Sequence, residues 1–98
     1  MDLAACTNRI TDKVGEDSGL GAKLKFDCGA DGQIFIDGTA TPNTVSNEDV
    51  PADCTIKIAL ADLSALLDGT LDPMNGFMSG RFTVEGDIGV ALKLQNVV

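Results

Sequence analysis

Histidine, tyrosine and tryptophan are absent from this chain. Histidine is the side chain that most often acts as a general base near neutral pH, and it is the commonest metal ligand in proteins. Without it, the Ser-His and Cys-His pairs that activate a nucleophile cannot form. Carboxylate pairs remain conceivable among four of the acidic residues, but the spacing of these four places no two of them in one dry pocket, and we expect them at the surface: Asp49, Asp53, Asp62 and Asp68. The sequence therefore predicts a protein that is not an enzyme.

Ligand-binding loops of known type are also missing. Gly19-Leu20-Gly21 begins like a dinucleotide-binding loop, but Leu24 occupies the place of the third glycine, and the segment precedes a strand where the motif would follow one. The segment 27–32, with Asp27 and Asp31, lacks the ligand order and the closing glutamate of a calcium loop. We expect neither a cofactor nor a metal ion.

Basic residues are few, with 7 Lys and Arg against 15 Asp and Glu and a formal net charge of −8. A nucleic-acid partner would need a basic face that displaces counterions from phosphates, so this balance argues against one. It also weakens the case for firm docking on anionic membranes, although transient membrane contact remains compatible with it. The acidic surface is expected to keep the protein soluble.

Sequence signals for export, for membrane insertion and for disulfide pairing are lacking. Cys6, Cys28 and Cys54 are odd in number and widely spaced, which favours free buried thiols in a reducing compartment. The first nine residues do not resemble a secretory signal, and no apolar run approaches the roughly 18 residues of a membrane span. The ending Asn96-Val97-Val98 is not a peroxisomal address. We expect a cytoplasmic protein.

The residues that are present suffice for one folded domain spanning 1–98. Of the 98 residues, 44% are hydrophobic and only 22% are charged, which is typical of a globular chain. A chain of this length has a single hydrophobic core as its default, and we expect a monomer.

The hydrophobic period indicates a helix followed by strands in the first half. A stripe at helical spacing predicts a first helix that ends near Gly15, and alternation then predicts two strands joined by the Asp31-Gly32 turn as an antiparallel hairpin. The stripe is Leu3, Cys6, Ile10 and Val14, and the alternating residues are Leu24, Phe26 and Cys28, then Ile34 and Ile36. The polar segment 38–52 is predicted to be a loop with a short strand near Thr44 to Ser46.

The second half alternates strands and helices. Residues 54–58 alternate as a strand, residues 60–68 have helical spacing before Gly69, and Asp72-Pro73 can open a short helix. A last strand begins at Phe82, and the apolar residues from Ile88 to Leu94 are predicted to be helical. This order points to an α+β domain in which helices cover one face of a mainly antiparallel sheet.

More apolar residues follow position 60 than a few short elements need for mutual packing. They can line a common space: Leu66, Leu67, Met74, Phe77, Met78, Ile88 and Leu92. Met74 and Met78 are one helical turn apart, and methionine conforms to ligands of differing shape. Spacing alone favours an ordinary packed core, so composition leaves both interpretations open.

Residues 51–94 resemble the sterol carrier protein type two family. The resemblance is carried by segments 51–58, 63–67, 68–80 and 81–94. Its specific features are Gly69-Thr-Leu-Asp-Pro73, the pair Phe77 and Gly80, and Gly86-Asp-Ile-Gly89 ahead of Ala91 and Lys93. Residues 23–38 agree by pattern only, and the first helix agrees merely in being helical.

The resemblance implies a sheet of about five strands, covered on one face by helices and enclosing an apolar tunnel. The tunnel would accept a sterol, a fatty acid or a fatty acyl-CoA tail, which makes the protein an intracellular lipid carrier. The implied lining is Phe77, Met78, Ile88 and Leu92, with Met74, Ile56, Phe82 and Val84 as supporting wall. The alternatives are an accessory module that presents lipid to a separate enzyme, and an interaction module with a filled core.

Two departures from the family pattern affect the helices over the tunnel. Ala59 stands where the family often has a capping serine, and Gly76 stands where it often has alanine. A missing cap costs about 1 kcal/mol and a helical glycine about 0.5 to 1 kcal/mol, so we expect loosely held helices. Lys93 is a candidate for steering a carboxylate or phosphate near the mouth, the alternative being an ordinary solvated helix lysine.

Overall fold

A computed structural model describes all 98 residues of the chain. The helices are α1 (Leu3–Val14), α2 (Leu60–Asp68), α3 (Pro73–Met78) and α4 (Ile88–Ala91). The strands are β1 (Lys23–Asp27), β2 (Gln33–Asp37), β3 (Thr44–Ser46), β4 (Cys54–Ile58) and β5 (Phe82–Gly86). Short 3-10 turns occupy Gly29–Asp31 and Leu94–Asn96. None of the helices is long and apolar enough to cross a membrane.

The five strands form one mixed sheet in the order β3-β2-β1-β4-β5. The pairs β1 with β2, β2 with β3 and β4 with β5 are antiparallel, which agrees with the mainly antiparallel sheet expected from the sequence. The central pair, β1 with β4, is parallel, with Leu24 opposite Cys54 and Phe26 opposite Ile56. Strands β2 and β3 lie between these two in the chain, so β4 returns beside β1 from the loop that follows β3.

Alternation along the strands places the core on one face of the sheet. Strand β1 buries Leu24 and Phe26, and β4 buries Cys54, Ile56 and Ile58, while Lys57 points to solvent. These residues join the apolar stripe of α1 in a single core cluster. The apolar residues whose spacing predicted the first helix and these strands therefore pack together in one core, as expected.

The end of the chain is less regular than the sequence indicates. A helix was expected from Ile88 to Leu94, but α4 has only four residues and is followed by a 3-10 turn. This segment buries Val90, Leu94 and Val97, whereas its Ile88 and Leu92 side chains are exposed. The segment therefore packs one apolar side against the sheet and leaves the other uncovered beside α3.

Candidate functional site

An apolar groove lies between α3 and the last segment of the chain, over β4 and β5. Its volume is about 120 Å³, and it is open on one side. The lining residues are Ile56, Pro73, Met74, Phe77, Phe82, Val84, Ile88, Ala91, Leu92, Leu94 and Gln95. Ile56 and Val84 are directly opposite each other on the antiparallel pair β4 and β5, so the floor is a continuous piece of the sheet.

The groove has a buried floor and an exposed rim. Ile56, Phe82 and Leu94 are at most 4% exposed, so the floor is withdrawn from water. The rim is different, because large apolar side chains that normally seek burial are largely exposed there: Met74 (59%), Phe77 (50%), Ile88 (55%) and Leu92 (76%). Exposed apolar residues that cluster around a concave surface commonly mark a binding site.

Helix α3 is positioned by its cap and by one close contact with the sheet. The carboxylate of Asp72 accepts a hydrogen bond from the Asn75 backbone amide at 3.1 Å, and Pro73 occupies the first turn. Gly76 is the only buried residue of the helix, and a Cβ there would lie 2.9 Å from Cε1 of Phe82. The ring of Phe77 packs on Phe82 with 6.0 Å between the centroids.

The two departures from the family pattern have different outcomes. Ala59 stands at the start of α2 without a side-chain capping bond, as expected. Gly76 has a packing role that the sequence did not indicate, because its missing Cβ is what allows the Phe82 ring to approach the backbone. The glycine therefore sets the distance between α3 and the floor of the groove.

Helix α4 is positioned by the end of β5. Gly86 has φ of +96° and sits against the Asp53 carbonyl, where a Cβ would overlap the oxygen. Only glycine fits this position without displacement of the backbone. The next residue, Asp87, donates its backbone amide to the same carbonyl at 2.9 Å, and its carboxylate accepts from the Gly89 amide at 2.8 Å. This turn directs Ile88 and the following residues over the sheet.

The groove contains no ionisable side chain. Lys93, the candidate for steering an anionic head group, is not among its lining residues, and its Nζ donates to the Leu20 carbonyl at 3.3 Å. That contact places the Nζ of Lys93 at the loop before β1 and not in the groove. The lining can exclude water and contact an alkyl chain, but it holds no group that could exchange a proton.

The four carboxylates considered as catalytic candidates are not brought together. Asp49 pairs with Lys25 at 3.0 Å, and Asp62 pairs with Arg81 at 3.1 Å. Asp53 accepts from the Lys23 backbone amide at 2.9 Å. Asp68 accepts hydrogen bonds from Thr70, and these hold the pKa of its carboxyl below the usual value. Each carboxylate therefore has a local structural partner.

The three cysteines are free and buried, as expected from their number and spacing. Burial raises the pKa of Cys6 and of Cys54, and it raises the pKa of the Cys28 thiol to about 11, with a further contribution from the neighbouring Cys6. A thiol with so high a pKa is protonated at neutral pH and is a poor nucleophile.

The structure brings together seven of the ten residues predicted from the sequence: Ile56, Met74, Phe77, Phe82, Val84, Ile88 and Leu92. The other three lie elsewhere. Leu66 and Leu67 are buried in the main core, because the inner side of α2 packs there. Met78 is 77% exposed and is absent from the lining, because it is the last residue of α3 and its side chain is directed to solvent.

Four lining residues were missed by the sequence reasoning: Pro73, Ala91, Leu94 and Gln95. The sequence predicts Pro73 only as the start of a helix, Leu94 only as part of a helical segment, and Ala91 as part of that segment and of the family pattern. For Leu94 and Ala91, the apolar pattern from Ile88 onward was the available signal. Gln95 carried no signal, because one polar residue near an apolar segment is ordinary.

Comparison with known proteins identifies the family. The model of the SCP-2 sterol transfer family matches residues 11–98. The chain belongs to this family. Sterol carrier protein 2 of Oryctolagus cuniculus is 44% identical over 55 residues, which cover 56% of this chain and 10% of that protein. The chain thus matches about a tenth of the length of that relative.

Solved SCP-2 structures agree with the fold. Sterol carrier protein 2 like 2 of Aedes aegypti superposes with a TM-score of 0.78 at 21% identity, over 98% of this chain and 95% of that one. A palmitated form of SCP2L2 from Aedes aegypti gives a TM-score of 0.74 at 24% identity, over 99% and 94% of the two chains. At these identities the likeness is one of fold. A tunnel through the domain stays a prediction, and the site seen here is an open groove.

Proposed function

We propose that the chain binds single apolar lipid molecules in the groove and carries them between hydrophobic surroundings. One observation carries the proposal: an open groove whose floor is buried and apolar and whose rim exposes Met74, Phe77, Ile88 and Leu92. Each methylene withdrawn from water contributes about 0.8 kcal/mol, so a long acyl chain gains on the order of 10 kcal/mol. Association costs of about 4 to 15 kcal/mol offset most of this gain, and moderate affinity follows.

The size of the groove indicates that ligand entry widens it. A cavity of about 120 Å³ is close to the roughly 150 Å³ that holds a benzene molecule, whereas pockets for larger ligands span about 300 to 1,000 Å³. Helix α3 is suited to move, because it has six residues and buries only Gly76. The palmitated Aedes aegypti relative supports an acyl chain as one class of ligand.

The protein acts in this proposal as a carrier and not as an enzyme. No lining residue is ionisable, and the four candidate carboxylates have separate structural partners. The isolated chain should therefore leave acyl-CoA thioesters and fatty esters unhydrolysed above background. A turnover that co-purifies with the protein and disappears in Asp62→Asn would contradict this part of the proposal.

Binding is tested by filling the groove. Val84 lines the floor, and Thr83, the preceding residue of β5, is exposed and is not among the lining residues. Val84→Phe should weaken the binding of Nile red and of a fluorescent sterol at least about tenfold, since a larger side chain takes the ligand volume. Thr83→Phe adds the same ring at the neighbouring position and should leave binding unchanged.

Two readouts complete the experiment. Native mass spectrometry of the purified protein should show masses of retained host lipid on the wild type and the Thr83→Phe control, and less on the filled variant. A wild type that binds no sterol, acyl chain or Nile red would overturn the proposed function. Equal loss of binding in both phenylalanine variants would remove the groove as the site.

A further inference from the structure

The three methionines of the chain are all exposed to solvent, but only one of them lines the groove. Met74 is 59% exposed and belongs to the lining, whereas Met78, one helical turn further along α3, is 77% exposed and lies outside it. Met1 is exposed as well and is not a lining residue. The groove therefore has one thioether that water reaches in the empty protein and that a ligand in the groove contacts.

The thioethers are the side chains of the folded protein that a peroxide oxidises first. Histidine, tyrosine and tryptophan are absent, and all three cysteines are buried. A peroxide attacks the thiolate form of cysteine. Burial raises the pKa of each of the three thiols, that of Cys28 to about 11, so they are protonated at neutral pH. A thioether has no proton to lose, so its oxidation depends on access, which Met74 and Met78 have.

A sulfoxide at Met74 changes one wall of the groove from apolar to polar. Its oxygen is a hydrogen-bond acceptor where the thioether was nearly apolar. In the empty protein this oxygen stays hydrated, because the side chain is largely exposed. A bound alkyl chain covers the side chain and offers no hydrogen-bond donor, so the oxygen loses its water without a replacement. The oxidised groove therefore has a lower affinity for an alkyl chain than the unoxidised one.

We propose that Met74 is a modification site, at which oxidation by a peroxide to the sulfoxide releases lipid from the groove and which bound lipid protects. This inference rests on the proposed lipid-binding function and adds a form of regulation to it. The Met74 sulfur attacks one peroxide oxygen, and the S–O bond forms as the O–O bond breaks. The sulfur loses two electrons and the peroxide gains them. The proton on the transferred oxygen passes to the departing hydroxide, which leaves as water.

The first experiment follows the oxidation of each methionine by hydrogen peroxide, with and without saturating lauric acid. Mass spectrometry detects the added oxygen, and fragmentation of the peptide that contains both Met74 and Met78 separates the two sites. Lauric acid should slow oxidation of Met74 at least about threefold, because it covers the sulfur. The rates at Met78 and Met1 should not change, since neither lines the groove.

The second experiment measures lipid affinity by Nile red titration before and after peroxide treatment. Oxidation of the wild type should weaken binding roughly tenfold, because a polar oxygen is then buried without a partner. Met74→Leu removes the sulfur, so its affinity should be the same before and after peroxide. Met78→Leu is the matched control on the same helix, and it should remain as sensitive to peroxide as the wild type.

Repair distinguishes the sulfoxide from an oxidised cysteine. Methionine sulfoxide reductases of both stereospecificities remove the sulfoxide oxygen as water, while the dithiothreitol that supplies the electrons forms its cyclic disulfide. This treatment should restore the affinity of the oxidised wild type. Dithiothreitol alone reduces disulfides and sulfenic acids of cysteine, and it should not restore the affinity.

The possible results separate this inference from the carrier function. If peroxide leaves the affinity of the wild type unchanged, or weakens Met74→Leu as much as the wild type, the inference is overturned while lipid binding stands. Oxidation of Met74 at the same rate with and without lauric acid also overturns it, as does a loss of affinity that follows unfolding in circular dichroism. If the untreated wild type binds neither Nile red nor lauric acid, the carrier function fails and the inference fails with it.

Discussion

Replacing Phe77 with alanine separates a ligand-contacting ring from an ordinary core ring. Phe77 is 50% exposed at the rim, whereas Phe82, which it contacts, is 4% exposed. A phenylalanine side chain has roughly 200 Å² of surface, so about 100 Å² is buried at Phe77. At about 25 cal/mol per Å² this burial contributes about 2.5 kcal/mol as an upper estimate.

Two corrections lower that figure. Alanine favours a helix over phenylalanine by about 0.5 kcal/mol, and part of the buried area is already covered in the unfolded chain. Phe77→Ala should therefore reduce the free energy of unfolding by about 1 to 2 kcal/mol. Phe82→Ala removes a fully packed ring and should cost about 3 to 5 kcal/mol.

Phe77→Ala should weaken ligand binding more than its small loss of stability would indicate. A bound alkyl chain or sterol covers the exposed half of the Phe77 ring, so the alanine variant should weaken binding by about 1 to 3 kcal/mol, which is about thirtyfold at the middle of this range. Met78→Ala is the matched control, because the neighbouring residue is 77% exposed and does not line the groove. We expect it to change stability and affinity by less than about 0.5 kcal/mol.

Urea unfolding and Nile red titration on the wild type and the three variants provide the measurements. The reasoning is refuted if Phe77→Ala destabilises the empty protein as much as Phe82→Ala does, because Phe77 would then be a core residue. It is equally refuted if Met78→Ala weakens binding as much as Phe77→Ala, because the rim would then not be the site of contact.

Three further predictions concern the groove floor, the thiols and acid stability. Gly76→Ala should weaken lipid binding, because its Cβ would lie 2.9 Å from Cε1 of Phe82 and displace that ring. This holds even though alanine favours the helix by about 1 kcal/mol, and a titration identical to the wild type would contradict it. All three cysteines should react with a thiol reagent in denaturant and only slowly in the native protein, since burial raises the pKa of Cys28 to about 11; recovery of one free thiol would instead reveal a disulfide. Hydrogen bonds from Thr70 lower the pKa of Asp68 in the folded protein below 3.8, so the unfolded chain binds the proton first as the pH falls. The stabilisation that is present above pH 3.8 is therefore lost as the pH drops through the pKa of Asp68 in the folded protein. Asp68→Asn should flatten this decline in the free energy of unfolding, and acid unfolding curves that superimpose would argue against it.

The helices and strands could be predicted from the sequence because each is marked by a pattern of neighbouring residues. The stripe of α1, the alternation of β1 and β4, and the Asp72-Pro73 start of α3 each depend on residues within one or two turns of each other. The resemblance to the SCP-2 pattern then placed most of the groove lining, including Phe77 and Val84.

The order of strands in the sheet and the burial of individual apolar residues could not be predicted from neighbouring residues in the sequence. The parallel pairing of β1 with β4 joins residues 30 positions apart, such as Leu24 and Cys54, and no turn signal announces it. Met74 and Met78 carry the same signal in the sequence, one helical turn apart on α3. Only packing directs one side chain into the groove and the other to solvent.

By itself the sequence determined the order of helices and strands, the free thiols, the acidic charge and the family, because all of these are properties of composition or of short segments. The tertiary structure decided that Leu66 and Leu67 fill the core while Ile88 and Leu92 border open space. It also placed Gln95 at the groove and drew Lys93 to the Leu20 carbonyl. The physical reason is that a cavity is a volume left between distant segments, here Ile56 of β4 and Leu94 near the end of the chain, and no local pattern records how closely such segments pack.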